Sequence, residues 1–133
     1  MQIREIGSGR WDGLINSHFA DANVVSDLVF VSGQLALDGD GKLVGIGDVV
    51  AQAEQVFANI ATILAEAGCE LSDVVDVKVY VMDIKDIPRI AEARRRFFGD
   101  RRPASTAVQI SGLVMADALI EVSAIACRKG SRE

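Results

Sequence analysis

Two periods of hydrophobicity run through the chain. From Asp73 to Met82 the period is two, with Val75, Val77, Val79 and Val81 on one side and Asp76, Lys78 and Tyr80 on the other, which predicts a strand with one dry face. Leu119 to Cys127 repeats the pattern, Ile120, Val122, Ala124 and Ala126 alternating with Glu121, Ser123, Ile125 and Cys127. Leu28 to Gly33 is a short apolar run rich in β-branched and aromatic residues, a buried strand leaving at Ser32-Gly33. Thr106 to Ser111 reads as one more strand. Helical spacing takes over after Asp48, a good N-cap. Ala53, Val56, Phe57, Ile60, Ile63, Leu64 and Ala67 fall on one face, and Gly68 supplies the stop. A second helix is predicted after Asp86, with Pro88 in its first turn, running through Ile87, Ile90 and Phe97 to Gly99. This order of elements predicts an α+β fold with both helices on one face of the sheet. The opposite face mixes Tyr80, Ile125 and Cys127 with Asp76, Lys78, Glu121 and Ser123. That is too apolar for a wet surface and too polar for a dry core, so a subunit interface in a closed cyclic oligomer is expected.

Composition narrows the class. With 133 residues, half of them hydrophobic, the chain suits a single domain spanning 1–133 that needs no disulfide or metal to hold its core. No apolar run reaches the roughly 18 residues of a membrane span. The opening MQIREIGSGRWDG lacks the basic-then-apolar order of a signal peptide, so a cytoplasmic location is expected, with Cys69 and Cys127 as free thiols. A formal charge of −5 argues against nucleic acid as a partner, since duplex binding needs a basic stripe to displace phosphate counterions. Five arginines nevertheless cluster at the end of the second helix and after it: Arg94, Arg95, Arg96, Arg101 and Arg102. They read as a solvated face or as a complement to the helix C-terminal dipole, with anion recruitment as the alternative. Asp38-Gly39-Asp40-Gly41 is turn chemistry and lacks the ligand spacing of a calcium loop, so no metal is expected.

Four pieces in order carry a resemblance: Asp27-Leu28-Val29-Phe30-Val31-Ser32-Gly33-Gln34; the helix with Gln52, Asn59, Ile60, Leu64 and Gly68; Asp73-Val74-Val75 leading to Val79-Tyr80-Val81 and Asp83; and Arg102-Pro103-Ala104 followed by Glu121-Val122 and Ala124-Ile125-Ala126. Together they closely resemble the Rid (reactive intermediate deaminase, YjgF/L-PSP) family over about residues 25–127. The resemblance implies a chorismate-mutase-like mixed β-sheet and a homotrimer with small-molecule clefts between subunits. It also implies hydrolysis of 2-imino and 2-enamino acids to 2-keto acids and ammonia, without cofactor or metal. In that chemistry an arginine holds the substrate carboxylate and a glutamate directs the attacking water. Residue by residue, the glutamate corresponds to Glu121, and Ser32 and Gly33 match the strand exit. The family's Pro-Ala-Arg-Ser motif reads Pro103-Ala104-Ser105-Thr106 here, so Ser105 replaces the carboxylate-binding arginine, with Thr106 and Ala107 beside it. Phe19 stands where the family has a loop tyrosine, and Ala91 where it has an asparagine.

The missing arginine leaves three readings open. Another cation, such as Arg101, Arg102 or a residue of a neighbouring subunit, holds the carboxylate; the substrate lacks a carboxylate; or the chain is a non-catalytic ligand-binding or regulatory trimer. A hydrolytic Ser105 or Thr106 would need a base within hydrogen-bond reach, and only His18, in the loop beside Phe19, is a candidate. Cys69 and Cys127 lie in apolar contexts that suit buried structural thiols better than nucleophiles. Some family members carry a ribonuclease label, which the acidic charge and the absence of interleaved aromatic and basic residues disfavour here.

Overall fold

The structure is a computed structural model that describes residues 2–7, 9–11 and 18–129. Its centre is α1 (Val49–Glu66), started by Asp48, whose carboxylate accepts the Ala51 N–H at 3.1 Å. At its end Gly68 takes φ of 78°, Cys69 N–H donates to the Leu64 carbonyl and Gly68 N–H to that of Ala65, so a glycine C′ closes the helix. The strands are β1 (Ile3–Ile6), β2 (Ala22–Val25), β3 (Leu28–Gln34), β4 (Val74–Val81), β5 (Ala104–Gln109) and β6 (Ile120–Cys127), in the sheet order β1-β2-β3-β6-β4-β5. Among the described residues only the β4–β5 pair is parallel, and the two short helices α2 (Asp86–Arg89) and α3 (Ala91–Phe98) make that crossover.

The four expected strands and the first helix are present, and four details differ from the sequence reading. Two edge strands, β1 and β2, are added. The second helix breaks at Ile90 into α2 and α3. Strand β5 begins at Ala104 and ends at Gln109 rather than spanning Thr106 to Ser111. Val75 does not share the dry face of Val77, Val79 and Val81. Val74 pairs with Ala126 and Asp76 with Ile125, so Val75 is the extra residue of a β-bulge, which turns it outward and puts Val74 in the core instead.

Helices and sheet enclose one main core. Val56, Phe57, Ile60, Ile63 and Leu64 of α1 meet Val29, Val31, Val77, Val79, Val81, Ile120, Val122 and Ala124 of the sheet, while Phe97 and Phe98 of α3 each lie 5.6 Å from the Phe57 ring. The far face of the sheet keeps apolar side chains in the open, Leu28 at 40%, Phe30 at 42% and Val108 at 40% exposure. Among the described residues, no helix is long and apolar enough to cross a membrane.

Candidate functional site

The sheet is irregular where β3 meets β6. Val31 pairs with Ala124 but Gln34 with Val122, so Ser32 and Gly33 together oppose the single residue Ser123. This bulge brings the Gly33 backbone under Glu121. A Cβ built on Gly33 would stand 2.4 Å from Glu121 Oε2 and 2.7 Å from Cδ, so the glycine leaves the space in which the carboxylate lies. Glu121 is half-buried, and burial pushes its pKa above the ordinary value.

The bulge also anchors the loop before β2. Ser32 Oγ donates to the Ala20 carbonyl at 2.7 Å, and Ser32 N–H donates to the Asp21 carbonyl at 2.8 Å. Buried Gln34 donates from Nε2 to the Ser32 carbonyl at 3.1 Å and to Asp21 Oδ1 at 3.4 Å. Phe19 is thereby held beside Glu121, its ring edge-on to Trp11 with centroids 5.5 Å apart. Trp11, Phe19, Ser32, Gly33, Val114 and Glu121 line one cavity of about 410 Å³. Trp11 and Val114 were not foreseen. Trp11 lies in an opening segment with no period to read, and Val114 in the loop before β6. His18 is exposed next to Phe19.

The other candidates gather elsewhere. Ala91, Arg101 and Arg102 line a second cavity of about 300 Å³, together with Arg94, Arg95, Phe98, Gly99 and Pro103. Ser105 joins this group through Arg94, whose Nη1 donates to Ser105 Oγ at 2.9 Å. Ser105 is in register with buried Val77, and so faces the helix side at the sheet edge. Thr106 is in register with Lys78 on the opposite face, and Ala107 with Val79, where it packs against the core. Glu121 pairs with Tyr80, which in turn pairs with Val108, three residues beyond Ser105. Two strand spacings and three residues of rise put Glu121 and Ser105 about 14 Å apart, on opposite faces of the sheet. One chain therefore does not bring them together.

Arg101 is occupied structurally: Nε donates to the Ser72 carbonyl and Nη2 to that of Val74, both at 3.1 Å. Arg96 pairs with Glu54 at 3.0 Å on the surface. Asp38 Oδ1 accepts the Asp40 and Lys42 N–H groups, which lowers its pKa and identifies the acidic segment as a turn. No cluster of three or more potential metal ligands occurs among the described residues.

The sheet is mixed, the helices lie on one face and a glutamate packs on a glycine bulge; comparison with known proteins gives the family. Residues 15–128 match the family described as Endoribonuclease L-PSP, and the chain belongs to this Rid/L-PSP family. It is 38% identical over 108 residues to the 3-aminoacrylate deaminase RutC of Acinetobacter baylyi, covering 81% of this chain and 85% of that one. It is 32% identical over 124 residues to the human 2-iminobutanoate/2-iminopropanoate deaminase, covering 92% and 88%. The crystal structure of RidA from an Antarctic Psychrobacter species superposes with a TM-score of 0.79 at 32% identity, covering 85% of this chain and 90% of that one.

Proposed function

We propose that this chain hydrolyses small imines or enamines to carbonyl compounds and ammonia, in clefts between the subunits of a homotrimer, with Glu121 directing the water. The observation that carries this reading is the Glu121 carboxylate, half-buried in an aromatic-walled cavity, lying against Gly33 and raised in pKa by desolvation. A carboxylate so placed is a stronger base than an exposed one. Water oxygen bonds to the imine carbon while Glu121 takes one water proton and passes it to the imine nitrogen, which leaves a neutral carbinolamine and a free carboxylate. The carbinolamine then collapses: Glu121 takes its hydroxyl proton and delivers it to the amine nitrogen as the C–N bond breaks, and ammonia leaves. Water and imine are consumed, carbonyl and ammonia are formed, and the carboxylate is regenerated. An enamine enters the same path after protonation at carbon. The trimer is supported by the exposed apolar residues on the outer sheet face, Leu28, Phe30 and Val108. The names of relatives, deaminases of 3-aminoacrylate and of 2-imino acids, support the substrate class.

The test is ammonia release from imines generated in place, by an amino-acid oxidase for 2-imino acids and by an amine oxidase for imines without a carboxylate. Acceleration by the wild type, reduced by about a hundredfold in Glu121→Gln, is expected for loss of a general base. No acceleration with either imine class, or equal rates in wild type and variant, would leave the non-catalytic ligand-binding trimer as the better reading. Light scattering showing a 14 kDa species at micromolar concentration would remove the trimer.

A further inference from the structure

Around the second cavity, cations outnumber their partners. Among the described residues, Arg94, Arg95, Arg101 and Arg102 line it and no acidic side chain does. Arg101 is pinned to two backbone carbonyls. Arg94 is in a different state. It is half-buried, forms no ion pair among the described residues, and its side-chain hydrogen bond goes to a neutral hydroxyl, Ser105 Oγ. Its Cζ lies 5.9 Å from the Phe98 ring centre, close enough for the aromatic face to support the guanidinium. Burial lowers its pKa, the sign expected of a cation that has lost water without gaining a counter-charge.

The chemistry of the pair points to an occupant. A guanidinium has five N–H donors in a planar fork, and the Ser105 bond uses one. When Ser105 Oγ accepts from Arg94, its own O–H is free to donate. Arg94 and Ser105 thus offer converging donors of the kind that receive the two oxygens of a carboxylate. The site lies at the sheet edge, beside edge strand β5, and about 14 Å from Glu121 of the same chain by the strand register.

We propose that Arg94 and Ser105 form the seat for a substrate carboxylate, the cation being supplied from α3 rather than from β5. The ownership of the carboxylate rests on the deaminase reading above; the binding of a carboxylate does not.

The experiment is calorimetric titration of the full-length protein with 2-oxobutanoate, a small 2-keto acid. Saturable binding is expected in the wild type. Arg94→Gln should weaken it by about ten- to a hundredfold, the worth of a charge-assisted bond. Arg96→Gln, outside the cavity and paired with Glu54 on the surface, should stay within about twofold of wild type. Arg94→Lys, which keeps the charge and loses the fork, should fall between, and it serves as the readout if Arg94→Gln does not fold. Adding Ser105→Arg to Arg94→Gln should recover most of the lost affinity. Absence of saturable binding in the wild type, or unchanged affinity in both Arg94 variants, overturns the proposal. The two readings fail separately. Carboxylate binding that follows Arg94 in a protein hydrolysing no imine sinks only the deaminase. Hydrolysis of 2-imino acids with an unchanged KM in Arg94→Gln sinks only the carboxylate seat.

Discussion

Replacing Gly33 by alanine puts a methyl group where the Glu121 carboxylate now lies. The new Cβ would be 2.4 Å from Oε2, whereas ordinary contact begins near 3.4 Å. The carboxylate must therefore retreat by about 1 Å, a displacement of the size that costs on the order of a hundredfold in rate, or about 2.7 kcal/mol of barrier. The same substitution should leave the fold intact. The atoms in the way belong to the free end of a flexible side chain, and Gly33 does not occupy the left-handed region that alanine resists. Loss of glycine freedom in the unfolded chain would even favour the native state, by about 0.4–1 kcal/mol. Expected together are a hundredfold fall in kcat/KM for ammonia release and an unchanged or slightly raised melting temperature. In the Glu121→Gln background, where the base is already gone, Gly33→Ala should cost little more, because both changes act on one group. A Gly33→Ala enzyme within about threefold of wild type would refute the reasoning, since a 1 Å shift would then be harmless. A melting temperature lowered by several degrees would refute it differently, by showing that the methyl collides with the scaffold rather than with the carboxylate.

Three further outcomes follow, two from Glu121 and one from Gln52. Because burial raises the Glu121 pKa, the folded state holds this proton more tightly than the unfolded state. Stability contributed by this residue falls as pH rises from the ordinary glutamate value through the raised one, and Glu121→Gln should be more stable than wild type above that window, as read by thermal unfolding across pH. The rate should rise over the same window if the ionised carboxylate is the base, and a kcat/KM that fell there would contradict that role. Gln52 is fully buried and gives Nε2 to the Gly45 and Asp117 carbonyls, at 3.1 and 3.0 Å, while Oε1 takes the Leu119 N–H at 2.8 Å. Gln52→Leu orphans three backbone groups, the Gly45 carbonyl ahead of α1 and the Asp117 carbonyl and Leu119 N–H just before β6, and should cost about 3 kcal/mol, lowering the melting temperature by roughly 10 °C; a loss under about 1 kcal/mol would show that these groups find other partners.

Elements with strong periods were readable from the residues. Helix α1 has its N-cap, its apolar face and its terminal glycine all within Asp48 to Gly68, and β6 alternates without a fault from Ile120 to Cys127. Short elements were not. Strands β1 and β2 are four residues each, and Ala22-Asn23-Val24-Val25 shows a period only once β3 is known to pair with it. At Val75, continuous alternation in the sequence hides the bulge, because an inserted valine looks like any other member of the row. The bulge at Ser32-Gly33 was readable as an exit from a strand, yet β3 continues to Gln34, and the close approach of Glu121 to Gly33 depends on two strands 88 residues apart in the chain.

Arg94 shows why a lost motif residue is a poor guide to lost chemistry. At the level of the motif, Ser105 removes a cation and nothing adjacent in sequence restores it. In space, α3 lies alongside the start of β5, and a residue 11 positions earlier reaches the same hydroxyl. The signal was present as a spacing rather than a motif: Arg94 and Phe98 lie four apart on one helix, which stacks a guanidinium over a ring and partly frees it from water. A cation fixed on a helix by an aromatic and a serine is oriented differently from one standing on a strand edge. The distance and angle it imposes between a carboxylate and the attacked carbon should therefore differ as well. If the proposed seat is occupied as described, the change from arginine to serine at 105 shifts which acids fit rather than abolishing recognition. The preference among 2-imino acids of different length would then respond to Arg94 and Ser105 together, and to neither alone.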